Sequence, residues 1–247
     1  MKAGIIGFGK VGSSLYDLLR EKSFKVNIFS VTKGKGNLKD LVINSDLIFI
    51  TVKDDLIPLR VKEISKIKGI KGKHFIHLSG ATPLSILEPL KKKGNFIGKL
   101  HPIQTFPERS KESFKNIYAT FSGNEETYKI LKKIFSRDFK IIKMEDKEQI
   151  LIHIACVFAS NFSVYSILKA EEILESLKLK REILKPIINA SFKNVLSKGA
   201  KNSLTGPARR KDLKTIKLHR KILKNFKKDL YEIYNYLTEK ILNERNL

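Results

Sequence analysis

Three glycines near the amino terminus constrain the fold of this chain more than any other feature. Residues 4–12 read GIIGFGKVG, with glycines in the order G-x-G-x-x-G between a candidate strand and a candidate helix. Such a turn bends tightly, admits a pyrophosphate against the backbone and packs the helix closely on the strand. The motif predicts a dinucleotide-binding turn; a purely structural glycine turn is the alternative. The predicted cofactor contacts are Gly7, Phe8, Gly9, Lys10, Val11 and Gly12.

The first 145 residues alternate between short apolar runs and amphipathic stretches. KVNIFS, DLIFITV, HFIHLSG, NFIGKL and FKIIKM are rich in Ile, Phe and Val and bounded by turn residues, as strands are. Helical patterns lie between several of them, and TPLSILEPLKKK is predicted to start with a Thr cap. This alternation predicts an α/β fold over residues 1–145, a Rossmann-type, mostly parallel sheet with helices on both faces.

Residues 146–247 carry helical patterns only. The stretch from DKEQILIHIAC to EEILESL is one uninterrupted pattern, whose first half is apolar nearly all round. We expect that half to be buried, within its own domain or against a partner subunit. A second helix is predicted over REILKPIINASFKNVLSKG and a third from Asp212 through LYEIYNYLTEKIL. The sequence thus predicts an all-α second domain.

The chain is strongly basic, with 49 Lys and Arg against 25 Asp and Glu and a formal charge of +24. The lysines are spread over nearly every segment, which is typical of solvated surfaces, so no nucleic acid partner is expected. Local positive potential that attracts anionic cofactors is a further interpretation. We found no signal peptide and no apolar run of about 18 residues, so we expect a cytoplasmic protein without membrane contact.

Cysteine and histidine usage argues against metal and disulfide chemistry. The single cysteine, Cys156, excludes an intrachain disulfide, and its apolar neighbours predict a buried, unreactive thiol. The five histidines are scattered without the spacing of metal ligands. No metal site is therefore expected.

The end of the second predicted strand indicates which dinucleotide binds. A carboxylate there would hold the ribose 2′-OH of NAD. Here Ser30, Thr32, Lys33 and Lys35 follow instead, and no acid appears before Asp40. Hydroxyl and ammonium groups suit a 2′-phosphate, which a carboxylate would repel. NADP(H) is therefore predicted over NAD(H), although the two lysines could also belong to an ordinary basic loop.

Later strands bring polar residues to the same edge of the sheet. We expect Thr51, Val52 and Lys53 to line the cofactor, and Asp54 and Asp55 to cap the following helix. After the fourth strand, the additional predicted cofactor contacts are Ser79 and Gly80.

Candidates for the chemistry follow the fifth strand and interrupt the long helix. His101 is placed for proton transfer or carbonyl polarisation, or it bonds the backbone to shape its loop. His77 is expected to be a satisfied core residue. Ser160 and Asn161 need hydrogen-bond partners, from the backbone or from a substrate. His153 lies about 80° round an ideal helix from Asn161, so the two need not share a face.

A turn in the helical half offers a cation. SLTGPARRKD places Arg209 and Arg210 after a Gly-Pro turn and before Asp212, a predicted N-cap. The planar guanidinium of Arg210 suits a carboxylate or phosphate, although both arginines could be ordinary surface residues.

Together, IIGFGKVG, SDLIFITVKDD, HLSG, HPIQTF, ASN and LTGPARRKD resemble the Rossmann-like proteins whose C-terminal half is a helical domain of unknown function. That group is related to ketopantoate reductase, pyrroline-5-carboxylate reductase and coenzyme F420-linked NADP oxidoreductases. The family usually has glycine where this chain has Lys211, a difference that bears on the backbone of that loop. The matching positions are Ser79, Gly80, His101, Pro102, Gln104, Asn161, Thr205, Gly206, Pro207, Arg210, Asp212 and His219.

The resemblance implies a 6-phosphogluconate-dehydrogenase-like architecture, with a dinucleotide domain (1–145) and a helical substrate and dimerisation domain (146–247). The expected function is NADPH-dependent reduction of a small carbonyl or imine compound, an acidic one, by a homodimer. We expect His101 to donate the proton, Asn161 to orient the substrate and Arg210 to hold a carboxylate. 2-Dehydropantoate is the substrate that the resemblance suggests. The alternative is a non-catalytic NADP(H)-binding sensor or scaffold.

Overall fold

The computed structural model describes residues 1–244, which divide into two compact units. The first unit is Met1–Phe162 and the second begins at Ser163. The last strand ends at Lys143, close to the domain boundary predicted after residue 145. The first unit nevertheless includes one more helix, because that helix packs on the sheet.

A seven-stranded sheet forms the centre of the first unit, in the order β2-β1-β3-β4-β5-β6-β7. All neighbouring pairs are parallel except β5 and β6, which are antiparallel. The mostly parallel sheet is confirmed, whereas β6 was missed in the sequence. The strands are β1 (Lys2–Ile6), β2 (Lys25–Phe29), β3 (Leu47–Ile50), β4 (His74–His77), β5 (Phe96–Pro102), β6 (Ile117–Gly123) and β7 (Phe139–Lys143).

Helices cover both faces of the sheet and make up the second unit. The segment TPLSILEPLKKK forms a 3₁₀ turn and a short helix without a Thr cap, so that prediction was wrong. The helices are α1 (Lys10–Glu21), α2 (Leu38–Ile43), α3 (Ile57–Ser65), α4 (Glu88–Lys91), α5 (Glu125–Phe135), α6 (Asp146–Cys156), α7 (Ser163–Ser176), α8 (Lys185–Lys198), α9 (Ala200–Ser203), α10 (Leu213–Phe226) and α11 (Lys228–Asn243).

The core lies on both sides of the sheet, and the central strand β3 is apolar at every position. Strand β3 is buried throughout, since successive side chains point to opposite faces and both faces are covered. On one face, Phe49 packs in a cluster with residues of α1 and α5. On the other face, Ile48 packs with residues of α2, α3 and α4.

Polar contacts attach α6 to β5 and β6. The side chain of Lys99 is fully buried, and its Nζ lies 2.9 Å from Asp146 Oδ1 at the start of α6. One turn later, the buried amide of Gln149 donates to Thr120 Oγ1 over 3.0 Å and accepts from Ser122 Oγ over 2.9 Å. Because these buried polar groups are paired with one another, they fix the position of α6 along the sheet.

The long apolar helix predicted in the sequence is present, with one irregularity. It runs from Asp146 to Ser176 and contains a π-helical segment at Val157–Phe162. By length and composition alone it could cross a membrane, so the expectation that no such stretch exists was wrong. Its first half was expected to be buried, yet in the described single chain Leu151 is 67% exposed.

The second unit holds the remaining helices. Helix α8 ends at Gly199, whose φ of 77° permits the turn. The third predicted helix is in fact two, α10 and α11, because Lys227 adopts an extended conformation between them. Lys227 also contacts Glu172, which together with Asp229 binds Lys169.

The loop before α10 keeps a left-handed residue where a glycine is usual in the resembling family. Lys211 has φ 57°, a conformation that costs a residue with a side chain of the order of 1 kcal/mol. Asp212 then caps α10, as predicted, by accepting from the Thr215 N–H over 3.0 Å. Lys211 therefore adopts this left-handed backbone conformation at an energetic cost.

Candidate functional site

The glycine turn joins β1 to α1 and leaves its outer side open. Gly7 has φ 105°, and its N–H donates to the Phe29 carbonyl oxygen over 2.8 Å. A Cβ on Gly12 would lie 2.2 Å from Gly7 O and 2.6 Å from Thr51 Oγ1, whereas one on Gly9 would meet no atom of the described chain within 4 Å. Two glycines thus close the turn, and Gly9 leaves room for a ligand.

Helix α1 presents an uncapped end at this turn. Gly9 occupies the N-cap position, and no side chain in residues 1–244 caps it or places an acid in the first turn. The first N–H groups of a helix attract anions, so the turn fits a pyrophosphate. Residues Lys10, Val11 and Gly12 form this helix start.

A cavity of about 340 Å³ opens beyond the turn, where β1 lies between β2 and β3. In open α/β sheets, this change in strand order is the place where ligands bind. Most of the predicted cofactor contacts meet here. The lining residues are Gly7, Phe8, Gly9, Phe29, Ser30, Val31, Thr32, Thr51, Val52, Lys53, Asp55, Leu56 and Arg60.

The loop after β2 is a closed turn with hydroxyl groups toward the cavity. Ser30 and Lys35 exchange two backbone hydrogen bonds, each 2.9 Å long. The hydroxyl oxygens of Ser30 and Thr32 lie 3.3 Å apart, and both residues line the cavity. Lys33 is exposed and does not line it. The loop thus offers hydroxyl donors where a 2′-phosphate would lie.

Basic side chains surround the turn. The ammonium of Lys35 lies 5.0 Å and the guanidinium of Arg109 5.7 Å from the centre of the Phe8 ring. Arg60 lies 5.6 Å from the Phe29 ring and lines the cavity. Sequence reasoning missed Arg60, because a lone arginine in the helix after β3 is not distinguished by any motif.

Ser79 and Asp54 bind each other and not the cavity at the glycine turn. Ser79 Oγ donates to Asp54 Oδ2 over 2.7 Å and accepts from the N–H of Thr82 over 2.9 Å, so its hydroxyl is already engaged. Neither Asp54 nor Asp55 caps a helix within residues 1–244, so that expectation was wrong. Ser79 and its neighbour Gly80 lie outside the lining of the glycine-turn cavity.

A second cavity, of about 250 Å³, adjoins the end of β5. None of the described residues that line it is lysine, arginine, aspartate or glutamate. They are His101, Pro102, Ile103, Gln104, Thr105, His153, Cys156, Val157, Ala159, Ser160 and Asn161.

His101 is the most buried titratable group of this second cavity. The residue is 9% exposed, and neither ring nitrogen has a well-formed hydrogen bond with a described residue, although the Leu78 carbonyl is near enough to favour the protonated ring. Burial, and next the neighbouring His153, lower the pKa of His101 to about 4. The ring is therefore neutral at pH 7 when no ligand is bound. His77 was expected to be satisfied, yet both its nitrogens also lack partners in the described chain.

The π-helical segment brings Asn161 to the same cavity as His153. A π turn closes i to i+5 and so rotates less per residue than an α turn. Asn161 therefore comes round nearer to His153 than an ideal helix allows, and both side chains line the cavity. Ser160 Oγ donates to the Cys156 carbonyl over 2.7 Å, and burial raises the pKa of the half-buried Cys156 thiol.

Arg210 lies in the second unit, on the exposed part of the loop before α10. Its carboxylate-binding role stays a prediction. Nearby, His219 Nδ1 lies 2.9 Å from Tyr234 Oη, so His219 joins α10 to α11. No group of three potential metal ligands occurs among residues 1–244.

The chain is similar to known proteins both in the sequence of its second half and in its fold. Residues 117–241, just over half of the chain, match the family described as a domain of unknown function (DUF2520). No curated protein matches in sequence. The fold matches that of a Bacteroides fragilis protein provisionally described as an NADP oxidoreductase, at 23% identity, 98% coverage of both chains and a TM-score of 0.86.

Two further structures share the fold over nearly their full lengths. A Thermotoga maritima protein is 19% identical, with a TM-score of 0.70 and coverage of 99% of this chain and 100% of the other. An Aspergillus terreus reductive aminase in complex with NADPH and ethyl levulinate is 13% identical, with a TM-score of 0.72 and coverage of 99% and 94%. These similarities confirm the fold, a mostly parallel sheet followed by helices.

Proposed function

The chain belongs to the DUF2520 family, and on that premise we propose that it is an NADPH-dependent reductase of a small carbonyl or imine compound. The observation that carries this proposal is the cavity at the glycine turn. It joins an uncapped helix start to a loop of hydroxyl groups that lacks a carboxylate. Such a site suits a dinucleotide with a 2′-phosphate.

The residues present fit that cofactor. The glycine turn would hold the pyrophosphate, Ser30 and Thr32 the 2′-phosphate, and Arg60 the adenosine end. Lys35 would add positive potential beside Phe8, whereas the nearby Arg109 is paired with the Asp17 carboxylate. NADPH, when bound, supplies a hydride, so the work left to the protein is orientation and proton supply.

The cavity beside His101 supports the second half of the proposal. A neutral imidazole can donate a hydrogen bond to a carbonyl oxygen, and a protonated one can give up its proton. Asn161 would orient the substrate from the π-helical segment. None of the described residues that line this cavity is lysine or arginine. Arg210 is the cation that we propose for a substrate carboxylate. 2-Dehydropantoate is our first candidate substrate.

The direct test measures cofactor binding and then turnover. Because the chain has no tryptophan, NADPH fluorescence can be followed without energy transfer from that residue. We expect NADPH to bind more tightly than NADH and to be oxidised with a member of a panel of 2-oxo acids, including 2-dehydropantoate, and cyclic imines. His101→Asn should lower kcat by roughly 10²-fold or more while NADPH affinity stays unchanged.

The outcomes separate the alternatives. NADPH binding without turnover across the panel would favour a sensor or scaffold. Absence of NADPH binding would reject the cofactor and the reductase together. Full activity of His101→Asn would reject only the role assigned to His101.

We further propose that the protein is a homodimer that covers apolar helical surface. Leu151 and Ile154 of the first unit are 67% and 46% exposed, and Leu168 and Ile187 of the second unit are also exposed. A membrane would require the Asp146–Ser176 helix to leave the sheet, yet Asp146 and Gln149 bind it there. A second copy of this chain is the occupant that leaves those contacts intact.

Light scattering should therefore give twice the chain mass at micromolar concentration. Leu151→Glu and Ile187→Glu should shift the protein toward monomer, because each buries a charge in the interface. Ile43→Glu, at an exposed apolar position on α2, is the matched control and should remain dimeric. A monomeric wild type would contradict the proposal, and flotation with lipid vesicles would indicate a membrane instead.

A further inference from the structure

The rings of His101 and His153 meet beside Gly80. Their centroids lie 5.2 Å apart, with the planes at 80°. A Cβ on Gly80 would lie 2.5 Å from His153 Nδ1 and 2.8 Å from His101 Cε1, so only glycine leaves room for both rings. The pair therefore has three nearly buried ring nitrogens, two of His101 and one of His153, without a hydrogen-bond partner in residues 1–244.

The two histidines differ in their access to water. His101 is nearly buried at the end of β5, whereas His153 is half-buried on α6. Both line the same cavity. A proton that reaches His101 from solvent therefore has a short route through His153.

The surroundings of His101 keep it neutral at rest. Besides burial and His153, the Lys99 ammonium lowers the pKa of His101, whereas the Leu78 carbonyl and the Asp54 carboxylate favour the protonated ring. Lys99 also lowers the pKa of the adjacent His77, after burial. A neutral His101 that gave its N–H proton to an alkoxide would be left as an imidazolate, so efficient transfer requires that His101 also receive a proton.

We propose that His153 is a proton-relay residue that recharges His101 from solvent during each turnover. This inference rests on the proposed reductase function. The proposal is supported by the contact between the two rings, by their buried nitrogens without well-formed hydrogen bonds and by the half-buried position of His153. Sequence reasoning did not assign His153, because its contact with His101 depends on the packing of α6 along β5 and on the small size of Gly80.

With NADPH bound, a C–H bond of its dihydronicotinamide would break as a C–H bond forms at the substrate carbon, NADPH would be oxidised to NADP⁺, and the C=O π electrons would move to oxygen. The N–H bond of protonated His101 breaks, and its proton goes to that oxygen, or to nitrogen in an imine. His101 regains a proton from His153, and His153 takes one from water or a buffer acid.

Kinetics of the full chain test the relay. His153→Ala should lower kcat by roughly 10²-fold, the size of one proton-transfer contribution, with the KM for NADPH unchanged. Added imidazole should restore kcat in proportion to its concentration, since it can occupy the vacated space. His153→Gln fills the space without carrying a proton and should be neither active nor rescued. Lys147→Ala, at an exposed position of the same helix, is the control.

Two results would overturn the relay. One is a wild-type kcat in His153→Ala. The other is a loss that imidazole does not restore while His153→Gln stays active, which would indicate packing alone. A wild type that oxidises no NADPH would instead refute the reductase function.

A measurement independent of turnover addresses the pair itself. Imidazole ¹⁵N NMR of the full chain reports the protonation of each histidine. Because His153 lowers the pKa of His101, His153→Gln should raise it from about 4. An unchanged His101 titration would show that the rings are not coupled and would overturn the relay even in an inactive protein.

Discussion

Replacing Gly12 with alanine is expected to destabilise the first unit by about 3 kcal/mol, the upper end of the usual cost of overpacking. The new Cβ would lie 2.2 Å from the Gly7 carbonyl oxygen, which is backbone and cannot rotate away. It would also collide with Thr51 Oγ1, whose 2.7 Å hydrogen bond to Gly7 O joins β3 to the turn. Denaturant unfolding followed by circular dichroism measures the loss.

Gly9→Ala is the matched control. Its Cβ would meet no described atom within 4 Å, so stability should remain near that of the wild type. The same Cβ would stand where the pyrophosphate approaches, so NADPH affinity should fall about tenfold or more, equivalent to about 1.4 kcal/mol. Wild-type affinity in Gly9→Ala would show that the phosphates do not lie on this turn, whereas a stable Gly12→Ala would show that β1 and α1 can separate.

The second large effect is expected at the buried ion pair. Asp146→Ala should cost about 3–5 kcal/mol, because it leaves the Lys99 ammonium buried without its partner. It also removes the acceptor of the Leu84 N–H. Lys99→Met should cost less, since Asp146 is partly exposed and keeps that bond.

The double variant checks this reasoning. Lys99→Met combined with Asp146→Ala should be more stable than Asp146→Ala alone, because no buried charge then lacks a partner. An exposed ion pair contributes at most about 1 kcal/mol to the free energy of unfolding. If Asp146→Ala lowers that free energy by less than this amount, the Lys99 ammonium reaches solvent. Denaturant midpoints of the three variants decide between these outcomes.

Local patterns predicted most of the fold. Six strands are short segments rich in Ile, Phe, Val or Leu, and their alternation with helical patterns predicted the sheet. Strand β6 reads IYATFSG, with small and hydroxyl-bearing residues, and its burial depends on β5, β7 and α6 rather than on its own composition. Likewise, Lys227 breaks the third predicted helix without proline or glycine to signal it.

The candidate site was predictable where a motif fixes the backbone and not where distant residues meet. The glycine turn, Ser30, Thr32, Thr51, Val52 and Lys53 line one cavity as expected. The burial of Lys99 depends on Asp146, which lies 47 residues further along the chain. Asp54 was expected to cap a helix but accepts from Ser79, because tertiary contact competes with local capping. The meeting of His101 and His153 depends on the packing of α6 against β5 and on the small size of Gly80, and no local sequence pattern signals either one.

The single antiparallel pair, β5 and β6, decides the direction in which α6 runs along the sheet. Strand β7 is parallel to β6, and both are antiparallel to β5. The chain therefore leaves β7 at the end of the sheet opposite the strand ends that face the cavities. Helix α6 therefore runs alongside β5 toward the cavities, with Asp146 beside Lys99 and His153 beside His101. If β6 and β7 had been parallel to the other strands, α6 would have started at the end of the sheet that faces the cavities, and His153 would have lain far from His101.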